Sequence, residues 1–262
     1  SDVCSSDLGK LVFTPAANFN GSPLTSFNFQ VQDNGGTANG GQDLSMPANK
    51  LTLVVTPVND APVGANNSVG TLEDTAYTIK ASDFGFTDPN DLSPPSSVQP
   101  NVLSAVVIST LPTAGTLRDN GALVTAGQTI AVSDFTNNLV TFTPALNSTA
   151  ADSLTFKVKD DGLTANGGVD TDATARTLTF TITGVNDPPV GTPKTINPSL
   201  DGTLLEDKSY TFAAADFGFT DPFDSPANTF LAVKITTLPT NGTLFNGALN
   251  VIAGEVLNVA NI

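Results

Sequence analysis

The 262-residue chain has no histidine and no tryptophan, one cysteine, one methionine and two tyrosines. Without histidine, the usual Ser–His and Cys–His nucleophile pairs cannot be built. Paired carboxylates alone could hydrolyse a glycoside. A sugar platform, however, normally presents several aromatics, and Tyr77 and Tyr210 occupy equivalent positions, which marks them as structural. A non-catalytic protein is expected. Positive charge is scarce too: 10 Lys and Arg against 25 Asp and Glu leave a net charge of −15. Nucleic acids and anionic membranes are bound through clustered Lys and Arg, so neither is an expected partner. No run of eighteen apolar residues occurs, which excludes a helical membrane span. Cys4 alone cannot form a disulfide framework. It falls in residues 1–8, which read as a translated sequencing-adapter end and are set aside from the fold.

What is present is repetition. Val58-Asn59-Asp60-Ala61-Pro62-Val63 returns as Val185-Asn186-Asp187-Pro188-Pro189-Val190. Leu72-Glu73-Asp74 returns as Leu205-Glu206-Asp207, and Asp83-Phe84-Gly85-Phe86-Thr87-Asp88-Pro89 as Asp216-Phe217-Gly218-Phe219-Thr220-Asp221-Pro222. A period of 185 − 58 = 127 residues is of domain size, so the chain reads as an array of domains. The register predicts the C-terminal part of a domain over 9–60, a complete domain over 61–187 and the N-terminal part of a third over 188–262. The array is therefore expected to be cut at both ends.

The local pattern is β throughout. Apolar residues alternate in Leu139–Thr143, Ser153–Val158 and Ala175–Ile182, a period of two that sets one face in a core and the other in water. Asn-Gly pairs at 120–121, 166–167, 241–242 and 246–247 supply the positive φ of tight hairpin turns. Only Ala213-Ala214-Ala215 suggests a helical turn. Many short strands in a unit of this length predict an all-β fold of tandem antiparallel β-sandwich domains. The Asp-Phe-Gly triplets do not mark a kinase, because no nucleotide-binding loop accompanies them. Their phenylalanines are expected in the core.

Carboxylates recur in step: Asp60 and Asp187, Glu73 and Glu206, Asp88 and Asp221, Asp91 and Asp224, and Asp160-Asp161 late in the unit. Converging carboxylates with amide oxygens suit Ca²⁺, which takes six to eight hard oxygen ligands. Turn formation by Asn and Asp, or simple solvation of the acids, is the plainer reading of each position taken singly. Asp74 and Asp207 read as solvated or capping residues, and Asp170 and Asp172 as loop charges.

Together, the Val-Asn-Asp-Ala-Pro junction, Leu72–Thr75, Asp88–Asp91 and Val158–Gly162 resemble the tandem cadherin-like (immunoglobulin-like) repeats of large bacterial surface adhesins. The stretches 108–117 and 235–244 are also similar to chondroitin-sulfate-proteoglycan-type repeats. The resemblance covers residues 11–262. It implies Ca²⁺ between consecutive domains, held at the first junction by Asn59, Asp60, Asp88, Asp91 and Asp160. At the second, the implied ligands are Glu73, Asp152, Asn186, Asp187, Asp221 and Asp224. The first copy has Thr25 where the second has Asp152. The implied function is a calcium-stiffened spacer for cell adhesion, secreted or at the cell surface. Its partners would be neighbouring repeats, with a cell-surface glycan or protein reached through other parts of the full protein. A direct glycan- or protein-binding module and a metal-free spacer stay open as alternatives.

Overall fold

The structure is a computed structural model that describes residues 9, 11–91, 101–197, 206 and 208–262. Residues 1–8 with Cys4, and Asp207, lie outside the described residues. The fold is mostly β-sheet with little helix, as the alternating pattern predicts. Two compact units share the chain. Residues up to Gly70, Ala76–Thr143 and Ala151–Thr181 form the first, and Thr71–Thr75, Pro144–Ala150 and Ile182–Ile262 the second.

In the first unit, β1 (Gly21–Phe29) and β2 (Asn49–Val55) form an antiparallel hairpin of their own. The remaining strands build two sheets. One is five-stranded in the order β3-β11-β10-β5-β8, from Asn67–Leu72, Arg176–Thr183, Asp152–Asp160, Leu103–Thr110 and Thr129–Ala131. The other is four-stranded in the order β4-β9-β6-β7, from Tyr77–Thr78, Val140–Thr143, Thr116–Asp119 and Ala122–Leu123. Asn120 and Gly121 have φ of 46° and 79° and close the β6–β7 hairpin, the turn that Asn-Gly predicts. Asn166-Gly167 differs: it sits in a 3-10 turn within the long connection from β10 to β11.

Both sheets share one apolar core. Phe142 on β9 stacks on Phe180 of β11 with ring centroids 3.8 Å apart. Phe84 meets Phe156 and Phe135 edge-on at 4.7 and 4.9 Å, a geometry that adds to simple area burial. All five rings are at most 2% exposed, and each contributes roughly 1.5–3 kcal/mol of apolar burial. Phe135 arrives on α1 (Val132–Thr136), a helix too short to leave a 3.6-residue signature. Phe84 is the last residue of a 3-10 turn over Ala81–Phe84, whose Asp83 accepts the Lys80 N–H and the Tyr77 hydroxyl. Tyr77 is thus a structural partner.

In the second unit, β12 (Ala232–Lys234) pairs with β15 (Val256–Asn258), and β13 (Phe245–Asn246) with β14 (Leu249–Asn250). The 3-10 turn at Ala214–Phe217 repeats the earlier one, with Tyr210 and the Ala213 N–H on Asp216. That is the helical turn suggested by the Ala-rich stretch. Among the described residues no helix is long and apolar enough to cross a membrane.

Candidate cation sites at two acidic clusters

Strand β10 explains how acids come to lie inside this fold. Every second residue from Asp152 to Asp160 is buried, so its inward face reads Asp, Leu, Phe, Val, Asp. The two ends of one core-facing row are carboxylates. They meet opposite fates.

Asp160, 1% exposed, lies among Asn59, Asp60, Asp88 and Asp91. Asn59 Nδ2 donates to Asp160 Oδ1 at 3.1 Å and to the Val169 carbonyl at 2.8 Å. The Gly162 N–H donates to Asp160 Oδ1 at 2.9 Å. A Cβ at Gly162 would overlap the side chains of Asn59 and Asn101, so the Asp-Asp-Gly motif needs its glycine. The Asp60 N–H donates to Asp91 Oδ2 at 3.0 Å, fastening the linker to the loop after Asp88. Asn101 Nδ2 donates to Asn59 Oδ1, and to Asp91 Oδ2 at 3.2 Å. Beside these lies a cavity of about 210 Å³ lined by Asn18, Asn20, Asp60 and Asp91 among others, in which Asn20 Oδ1 is buried without a partner.

Asp88 is the anomaly. It is 4% exposed, and among the described residues neither of its buried carboxylate oxygens has a fully formed hydrogen bond. Buried polar groups are normally paired, and a bare buried carboxylate costs several kcal/mol. Desolvation first, then the charges of Asp91, Asp160 and Asp60, push its carboxyl up to about 6, outweighing the nearby Asp91 N–H, which lowers it. Asp60 and Asp160 are also raised, mainly by desolvation.

The second unit repeats this arrangement. The Asp187 N–H donates to Asp224 Oδ1 and Oδ2 at 3.3 and 3.2 Å. Asn228, the counterpart of Asn101, donates from Nδ2 to Asn186 Oδ1 at 2.8 Å and from its N–H to Asp221 Oδ2 at 2.5 Å. Asp221 is 8% exposed with Oδ1 unpartnered. Glu73, 3% exposed, accepts the Val185 N–H at 2.6 Å on Oε1 and leaves Oε2 buried and bare; Asp187 Oδ2 is likewise bare. The Asp187 carboxyl is raised by desolvation, then by the charges of Asp74, Asp224, Glu73 and Asp221. Asp74 itself accepts the Asn147 N–H at 2.9 Å, a capping role.

Asp152 stands apart from the expected ligand set. It belongs to the first unit, and its oxygens accept the N–H groups of Thr113, Ala114, Gly115 and Ser153 at 2.8–3.0 Å. Burial alone would raise its carboxyl, but the bonds from Gly115, Thr113, Ala114 and Ser153 hold it down at about 2. Asp172, read as a loop charge, is 3% exposed and binds the Gly64 and Thr174 N–H groups and Arg176 Nε. Sequence reasoning missed Asn101 and Asn228. Their recurrence at the 127-residue spacing was the available signal.

Among the described residues, no group of three or more His, Cys, Asp or Glu is arranged to hold a metal ion as it stands. A cation would have to draw these acids inward. Searched against protein-family models, curated proteins and solved structures, the chain matches none.

Proposed function

We propose that the chain is a non-catalytic segment of tandem cadherin-like β-sandwich domains from a secreted or surface-attached bacterial adhesin, stiffened by Ca²⁺ at two acidic clusters. The observation that carries the cation reading is Asp88, buried beside Asp60, Asp91 and Asp160 with neither oxygen in a fully formed hydrogen bond among the described residues. An inward-facing divalent ion would replace the missing partners and neutralise the mutual repulsion. Asp60, Asp88, Asp91 and Asp160 with the Asn59 oxygen supply the hard donors at the first cluster. Glu73, Asp187, Asp221 and Asp224 with the Asn186 oxygen supply them at the second. Asp152 is left out, because the Thr113–Gly115 loop uses its oxygens. Extracellular Ca²⁺ modules bind with Kd of about 10⁻⁴–10⁻³ M. At millimolar Ca²⁺ each independent site then contributes roughly 0.5–1.5 kcal/mol, enough to set the stiffness of a linker. The second reading is a metal-free spacer whose acids serve solubility, in keeping with the net charge of −15.

Thermal melting with Ca²⁺ and with chelator, for the parent and Asp88→Asn, separates the two readings. Because the native carboxyl of Asp88 lies at about 6, above its ordinary 3.8, the ion-free native state holds more protons than the unfolded state between those values. Stability therefore falls as pH rises through this window. Asp88→Asn should make the ion-free protein more stable at pH 7 and remove most of the Ca²⁺-induced rise in melting temperature. A parent protein that melts identically with Ca²⁺ and with chelator would leave the metal-free spacer standing.

A further inference from the structure

The carboxamide of linker residue Asn59 is held at both ends. Its Nδ2 donates to the two oxygens of Asp160 at 3.1 and 3.3 Å and to the Val169 carbonyl at 2.8 Å, so its Oδ1 faces the other way. There it accepts from Asn101 Nδ2. The same Asn101 nitrogen donates to Asp91 Oδ2 at 3.2 Å, and that oxygen also accepts the Asp60 N–H at 3.0 Å. One amide group thus joins a linker oxygen to a carboxylate of the loop that follows Asp88. A carboxamide nitrogen carries two protons and accepts nothing, so Asn101 also fixes which end of Asn59 faces it. A flipped Asn59 would set donor against donor.

The second unit makes the same join with different atoms. Asn228 Nδ2 donates to Asn186 Oδ1 at 2.8 Å, while the Asn228 N–H donates to Asp221 Oδ2 at 2.5 Å. Asn186 Nδ2 in turn donates to the Asp187 carbonyl at 3.1 Å. The two joining residues are 228 − 101 = 127 positions apart, the spacing of the repeat. What recurs is the pair of oxygens joined, one from the linker and one from an acid of the following loop, and not the particular donor. Turn formation by an asparagine requires neither partner.

We propose that Asn101 and Asn228 are positioning residues, each strapping its linker to its acidic loop in the ion-free protein and so presenting a carboxamide oxygen and a carboxylate already paired to an arriving divalent cation. The strap stands without the cation; only its effect on ion uptake rests on the calcium reading. A linker docked beforehand leaves less disorder for ion binding to remove. Asn101 has no need to touch the ion. The first strap is half-buried and the second exposed, and water competes with exposed hydrogen bonds. Asn101 therefore carries the larger effect.

Amide hydrogen exchange of the full chain, followed by mass spectrometry from chelator to millimolar Ca²⁺, reads the straps separately through the peptides that contain Asp60 and Asp187. In chelator, Asn101→Leu should speed exchange in the Asp60 peptide about tenfold and leave the Asp187 peptide as in the parent. It should raise the Ca²⁺ midpoint of the Asp60 peptide about tenfold as well. Asn228→Leu should act on the Asp187 peptide alone, by about threefold or less. In an Asn59→Ala background, Asn101→Leu should add no more than about threefold, because its linker partner is gone. Asn101→Ser keeps one donor and should fall between Asn101→Leu and the parent. Should Asn101→Leu speed both peptides alike through loss of fold, Asn101→Ser decides by the same Asp60 peptide. Parent-like exchange of that peptide in chelator, or a full effect retained without Asn59, overturns the strap. A Ca²⁺ midpoint that falls in Asn101→Leu would show the carboxamide competing with the ion and overturns the positioning role. Parent peptides that Ca²⁺ leaves unaltered remove the cation reading and the effect on ion uptake, while exchange in chelator still decides the strap.

Discussion

Hairpins β10–β11 and β1–β2 are two readings of one pattern. Each places alternating apolar residues on one face, and each adopts the same cross-strand register. One lies at the centre of a core with its phenylalanines sealed; the other presents two of them to solvent. Pairing and register are thus local properties, set by the period of two and the partner strand. Burial is not local. It comes from Phe84, Phe135 and Phe142, which reach β10–β11 from other parts of the first unit.

Truncating one phenylalanine in each hairpin is the widest way to break this comparison. Phe156→Ala should destabilise the first unit by about 3–5 kcal/mol, since it opens a cavity beneath Phe84. Phe29→Ala, at a site 37% exposed, should cost under about 1 kcal/mol in dilute monomer. Urea unfolding curves for the two variants check both values. Equal losses would mean that β1–β2 is as well packed as its counterpart.

Much of this difference was beyond a sequence to tell. The repeat, the β character, the turn at Asn120-Gly121 and the core position of Phe84 were legible, because each follows from spacing or from a residue's own backbone preference. What covers β1–β2 was not, since alternation marks a face and says nothing of its partner. The acids were hard for a similar reason. An aspartate that anchors a loop and one that faces a cation look alike in one dimension. Thus Asp152 read as a ligand and Asp172 as a loop charge, yet both are tied to backbone N–H groups. Asn101 and Asn228 were not singled out, although they recur in step and bridge to Asn59 and Asn186. Helix α1 was invisible because five residues make little more than one turn.

The second break is smaller and concerns Asp152. Asp152→Ala strands the N–H groups of Thr113, Ala114 and Gly115 and should cost about 2–3 kcal/mol at pH 7. Its native carboxyl lies at about 2, below the ordinary 3.8, so its contribution is full above the unfolded value. The contribution is lost as pH falls from that value towards about 2. Acid unfolding of the parent and the variant should therefore converge over this window. A variant whose deficit is the same at pH 2 and pH 7 would show that the carboxylate charge is not what holds the loop.

The smallest effect runs in the other direction. Thr25 occupies the Asp152 position in β1, facing Leu53 as Asp152 faces Phe180. Thr25→Asp puts the missing acid there. Thr25 is exposed, so the change should move stability by no more than about 0.5 kcal/mol. Urea unfolding of the parent and of Thr25→Asp reads the difference, and a loss as large as that of Asp152→Ala would mean that the acid position itself, rather than the loop bound to it, sets the cost.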